Sequence, residues 1–462
     1  MKVLFKNILK NPIQLLLAVN ILIGLFIFRD YGLTWDEPYF YSYGDALGYA
    51  YTPTNWFSGH FDLNNSYGAS EYDHKTRGPA YLFLARNFVY GLEALGSDSA
   101  PAWHLVNFLF FQFGIYFLYR ISKRWVKSSA AFATAALFSY QPLLWGHAFI
   151  NPKDAQFLTF FLASICLGFE MVDKLVDDSS TQKQKIKSTI FPAIILGITT
   201  SIRVLGPLAG VLVFIYLASR LIQSKAFKSS KPLWMIFVGY GFIAVVAMLA
   251  TWPYLWENPF ANFVHVFQFM SDNPTNLSIL FGGAVYRVHE LPHRYLPFFL
   301  ATTLTEPVWI LFAAGLVIAY SKIYKRQSSQ PGYFVSLSLV LSWFVILIAY
   351  VLIRRPAMYD GFRHFLFILS PVFIFISFAF EFLFEKINRL AFVNNWIRAV
   401  LLLALIAPGI LGIIQLHPYE YTYYNSFVGG TSGAFRNYET DYWLTCYKEA
   451  VEELKATTTS PI

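Results

Sequence analysis

Charge is scarce in this chain. Only 13% of its 462 residues are Asp, Glu, Lys or Arg, roughly half the share of an average soluble domain. With 56% of residues hydrophobic, a water-soluble body is excluded. Cysteine is nearly absent. Cys166 lies inside an apolar run and Cys446 near the C-terminus, so no disulfide is expected. No internal repeat, heptad pattern or low-complexity linker is present, which weighs against a transporter built from paired halves. The first apolar run, 12–28, has no small-residue cleavage site and reads as a retained span. The net charge of +8 does not indicate nucleic acid. Most basic residues sit in short loops between apolar runs, where they set membrane orientation.

What the chain has is apolar runs near twenty residues, the length that crosses a bilayer as helix. Spans are expected at 12–28, 102–120, 129–146 and 155–172, then at 233–252, 299–320, 333–352, 363–384 and 395–414. The segment 190–222 must cross twice to keep the flanking lysines on one side. Two short helices meeting near Arg203, Gly206 and Pro207 are expected there. The reading is an all-α polytopic membrane protein with about eleven transmembrane helices. Lys2, Lys6 and Lys10 put the N-terminus in the cytoplasm. A membrane domain, 1–414, then carries outer segments at 29–101 and 253–297, followed by an outer tail, 415–462. Two stretches of the first outer loop, 38–50 and 79–95, read as interface helices. Arg86 and Glu93 fall on one face of the second.

Under this topology all nine histidines lie on the outer side, with Asp36, Glu37, Asp154, Arg203, Arg354, Arg355, Asp360 and Arg363. Asp36-Glu37 follows directly on the first span, where a carboxylate is costly unless it meets water, a cation or a partner. A helix start with Asp36 as N-cap is compatible with a chemical role. Arg354-Arg355-Pro356 ends one span and Asp360-Gly361-Phe362-Arg363-His364 opens the next. This basic cluster either snorkels to lipid headgroups or grips an anionic headgroup. Arg203 could join it. Asp154 is either a plain N-cap or a second carboxylate near Asp36. His289-Glu290-Leu291-Pro292-His293 matches the zinc-protease pattern, but Pro292 opposes the continuous helix that pattern needs. The aromatic tail, from His417-Pro418-Tyr419 to Tyr442-Trp443, either anchors in the interface or stacks on sugar.

A first span, Asp-Glu in a long outer loop, then many spans with outer arginines resembles the C-type glycosyltransferase superfamily. It is most similar to the branch of protein O-mannosyltransferases and lipid A aminoarabinose transferases. The likeness runs over about 12–384 as an architecture. It implies a membrane hexosyl or pentosyl transferase in a bacterial inner membrane, taking sugar from a polyprenyl-phosphate donor on the outer face. It implies Asp36 as base or positioning carboxylate at the acceptor, with Glu37 beside it. Arg354, Arg355, Arg363, His364 and Arg203 would face the donor phosphate. The acceptor, a glycan, lipid or protein, does not carry over. Pro38-Tyr39 and the His-Pro-Tyr tail depart from the best-known members. No cofactor is required by these residues; a divalent metal has room. Two sequons, Asn64-Asn65-Ser66 and Asn276-Leu277-Ser278, leave an endoplasmic-reticulum membrane open. The competing class is a multi-span transporter or flippase for a lipid-linked or anionic substrate.

Overall fold

The computed structural model describes residues 11–70, 74–223, 231–271, 276–325, 332–389 and 395–457. Lys2, Lys6 and Lys10, used above to set orientation, lie outside them. The described residues are mostly helical, with one antiparallel hairpin, Ser278–Phe281 against Ala284–Arg287. Eight described helices are long and apolar enough to cross a membrane. Three shorter apolar helices, Pro12–Ile27, Ser128–Ser139 and Pro207–Gln223, stand at other expected spans.

The span expected at 129–146 is two pieces, Ser128–Ser139 and Pro142–Ile150. The run expected at 299–320 is likewise split, into Tyr295–Thr302 and Pro307–Tyr324. Both breaks precede a proline that opens the second piece, where its missing N–H costs nothing. Backbone groups freed in an apolar medium still need partners. Gln141 supplies them at both breaks. Its side chain donates to the Leu137 carbonyl at 2.9 Å and accepts from the Thr305 backbone N–H at 3.0 Å. The pair of short helices expected in 190–222 is corrected at its first member. Gln182–Ile202 has 21 residues and starts inside the lysine loop, capped by Thr181 and Gln184. The junction at Arg203 is as expected.

Neighbours sort these apolar helices. The membrane-length windows of Asp154–Leu175 and Arg363–Asn388 are 94% and 89% buried in protein, whereas Pro232–Ala250 and Trp396–Leu416 are 11% and 17% buried. The first two form the centre of the bundle and the other two face outward. One end carries ion pairs, among them Arg124–Asp173 at 2.7 Å and Lys127–Glu385 at 2.9 Å. At the other end the tail packs on the segment 29–101 and on the hairpin. Tyr31 donates to Glu420 at 2.9 Å, and Phe281 bridges Tyr438. The helix Ala80–Ala94 lies against Glu37–Ala46, with Arg86 donating to the Gly44 carbonyl at 3.1 Å.

Candidate active site

Asp36 precedes the helix Glu37–Ala46. It stands at the N-cap position, but its side chain makes no capping hydrogen bond. Its own backbone is helical (φ −81°, ψ −28°), and a side-chain cap needs the extended conformation. Thr34 and Glu37 cap instead. The Glu37 N–H donates to the Thr34 hydroxyl at 3.3 Å, and the Thr34 N–H donates to the Glu37 carboxylate at 2.6 Å. This is the reciprocal box of Thr-x-x-Glu. Glu37 is fully buried; it also accepts from the Tyr41 hydroxyl and meets His104 Nε2 at 3.1 Å. The adjacent carboxylates therefore separate. Glu37 locks the helix start, and the Asp36 side chain takes no part in the cap.

Asp154 is not the N-cap expected as one of its two readings. Asn151 caps this helix, accepting from the backbone N–H groups of Lys153 and Asp154 at 3.1 and 2.8 Å. The Asp154 carboxylate is shared between Arg203 and Arg363. Arg363 is buried, 3.4 Å from Asp154 and 3.5 Å from Asp360. Three rings surround its guanidinium, Trp443 at 4.5 Å, Tyr359 at 4.8 Å and Tyr442 at 4.9 Å.

Four cations, Arg77, Lys153, Arg203 and Arg363, act on one another and on His364. Asp36 opposes them, acting on Lys153 and Arg363. Arg77 and Lys153 both lie over the Phe40 ring, at 5.8 and 5.7 Å, one turn from Asp36. Burial first, then Arg77 and Arg203, push the Lys153 ammonium well below its usual range. Beside Arg363 the Asp360 carboxyl is raised to about 6, mainly by burial. Glu439 is raised to about 8 by burial and by Asp360.

The expected arginine cluster divides. Arg363, His364 and Arg203 belong to this centre. Arg354 and Arg355 are exposed, and no described contact joins them to it. Arg355 ends its helix in the left-handed region and donates to the Leu291 carbonyl at 2.7 Å. Arg77 and Lys153 were missed. Lys153 had a signal, a cation at the start of a span on the side that the loop charges make the outer one, where positive charge is disfavoured. His289 to His293 is no helix face: a turn ends at Glu290 and Leu291 is extended (ψ 135°). Among the described residues no group of three or more His, Cys, Asp or Glu could hold a metal.

No family model matches the chain, and no curated protein matches it. Solved structures do. ArnT from Cupriavidus metallidurans bound to undecaprenyl phosphate is 14% identical, with a TM-score of 0.51 over 88% of this chain and 72% of that one. The archaeal oligosaccharyltransferase AglB from Archaeoglobus fulgidus, in complex with an inhibitory peptide and a dolichol-phosphate, is 10% identical. Its TM-score is 0.54 over 98% of this chain. The chain has the C-type glycosyltransferase fold. It spans 59% of the length of AglB.

Proposed function

We propose that this protein is a membrane glycosyltransferase that moves a sugar from a polyprenyl-phosphate donor to an acceptor on the outer face of a bacterial inner membrane. One observation carries this reading. A carboxylate released from capping, Asp36, stands against four clustered cations at the membrane-exit end of the bundle. That pairing suits a reaction in which an acceptor loses a proton while a phosphate gains charge. The fold similarity to proteins solved with undecaprenyl phosphate and dolichol-phosphate supports it.

In this reading Lys153, Arg77 and Arg203 face the donor phosphate and stabilise it as the anomeric bond breaks. Arg363, which shares Asp154 with Arg203 and also meets Asp360, holds the aromatic wall and the local field. Asp36 takes the proton of the attacking group, so one displacement inverts the sugar. Glu37 positions Asp36 through the helix start and does not touch substrate. The test is release of polyprenyl phosphate from undecaprenyl-phosphate sugars by the purified protein. Asp36→Asn is expected to bind the lipid and lose at least ~100-fold in rate, the scale of a general base. Wild-type turnover in that variant removes Asp36 from the reaction.

A further inference from the structure

The hairpin and the tail, far apart in sequence, meet edge to edge. Phe281 bridges Tyr438 antiparallel, and the Gly283 N–H donates to the Asn437 carbonyl at 3.0 Å. The Tyr438 ring stacks on Phe298 at 4.2 Å. Under this junction lies a cavity of 460 Å³, within the range of small-molecule sites. Phe435, Tyr438 and Tyr442 line it, together with Glu439, Thr440 and Asp441. Ser278 stands on its hairpin side, exposed.

Two features define what the cavity suits. Aromatic rings interleaved with hydroxyl and carboxyl groups match the alternating C–H and O–H faces of a pyranose ring. The lining has a single guanidinium, Arg436, over Phe435 at 5.3 Å, against the carboxyl groups of Glu439 and Asp441. No excess of positive charge therefore marks the cavity for a phosphate or carboxylate ligand. The Glu439 oxygen Oε2 receives the Asp360 N–H at 3.2 Å and the Tyr295 hydroxyl at 3.3 Å. Neither bond uses Oε1.

Tyr442 is also a wall of the cation centre. Its hydroxyl receives Arg363 at 3.4 Å, and its ring meets Trp35, the neighbour of Asp36, edge-on at 5.1 Å. We infer that this cavity seats the acceptor, an uncharged pyranoside, and delivers its hydroxyl past Tyr442 toward Asp36. The inference rests on the transferase reading above. In the step it serves, the acceptor oxygen forms a bond to the anomeric carbon as the bond from that carbon to the phosphate oxygen breaks. The bonding pair leaves with the phosphate, and the hydroxyl proton passes to Asp36.

Binding can be read without turnover. The protein in polymer nanodiscs, free of sugar detergents, is titrated by saturation-transfer NMR with methyl glucoside, methyl mannoside and methyl galactoside. Glucose 1-phosphate and glucuronate serve as anionic counterparts, and undecaprenyl phosphate is bound separately. At least one neutral glycoside should bind, about tenfold more tightly than either anion. Ser278→Trp should weaken it at least about tenfold by filling the cavity, and Thr440→Val should weaken it without adding bulk. Both variants should bind undecaprenyl phosphate as the wild type does. Undecaprenyl phosphate binding without any glycoside binding overturns the acceptor site and leaves the donor reading standing. Equal binding of the anions overturns the uncharged class. Glycoside binding unchanged in both variants places the sugar elsewhere. Loss of undecaprenyl phosphate binding by the wild type overturns the donor reading itself.

Discussion

Two neighbouring carboxylates, Asp36 and Glu37, have the same chemistry and different fates, because backbone conformation decides which one can cap. Lys153 shows the same dependence on surroundings. Burial and its cationic neighbours hold its proton loosely, and a bound phosphate would restore it. Undecaprenyl phosphate affinity should therefore fall as pH rises from the free-state pKa of Lys153 toward its phosphate-bound one. Affinity measured from about pH 6.5 to about pH 9.5 checks this against Lys153→Arg, which stays charged throughout and should lose the slope. A flat wild-type profile would take Lys153 off the phosphate. Among the arginines, Arg363→Lys should lose most activity, since an ammonium cannot fill a three-ring cage while meeting two carboxylates. Arg354→Lys and Arg355→Lys, on exposed side chains, should turn over at wild-type rates.

Elements place these residues by their ends. Asp36, Lys153, Arg203 and Arg363 all stand where a helix begins or stops. Arg77 arrives on the short link into Ala80–Ala94, and Gly78 fixes that link. A Cβ there would fall 1.5 Å from the Ser201 carbonyl oxygen, at the end of Gln182–Ile202. Gly78→Ala must therefore push the Arg77 segment off the helix that carries Arg203. The variant should keep its helical content and lose donor binding; unchanged binding would show that Arg77 needs no such register. The ends were partly legible. Apolar run length located most of the long described helices, eight of them long and apolar enough to cross a membrane, and proline gave Arg203 its junction. The breaks at Pro142 and Pro307 escaped notice because the runs stay apolar through them, and Gln141 closes both from within. The Thr34–Glu37 box was written in the sequence but overshadowed by Asp36. The division between Arg363 and Arg354–Arg355 was not legible, since the seven residues between Arg355 and Arg363, with left-handed backbone at Asp360 and Gly361, reset the chain direction.

At the scale of the molecule, the tail is joined to the bundle through two buried acids whose pKa values are raised, Glu439 the further. Glu439 sits against Asp360, and burial with that neighbour raises it from 4.5 to about 8. A carboxyl raised on folding stabilises the fold fully below its unfolded pKa. That contribution declines as pH climbs through the folded value. The docking of the tail should thus weaken between about pH 4.5 and pH 8, with Asp360, raised to about 6, adding to the lower part of the window. Glu439→Gln keeps the acceptor oxygen for the Asp360 N–H and cannot ionise. Thermal unfolding of the wild type should shift downward from about pH 5 to about pH 8.5, and the variant should shift less and be the more stable at the upper end. Protease cleavage within 435–446 should follow the same order, because these residues hold the hairpin through Tyr438 and Arg363 through Tyr442. Parallel pH profiles for the two proteins would mean that Glu439 is ionised in the folded state, and the aromatic wall around Arg363 would then depend on packing alone.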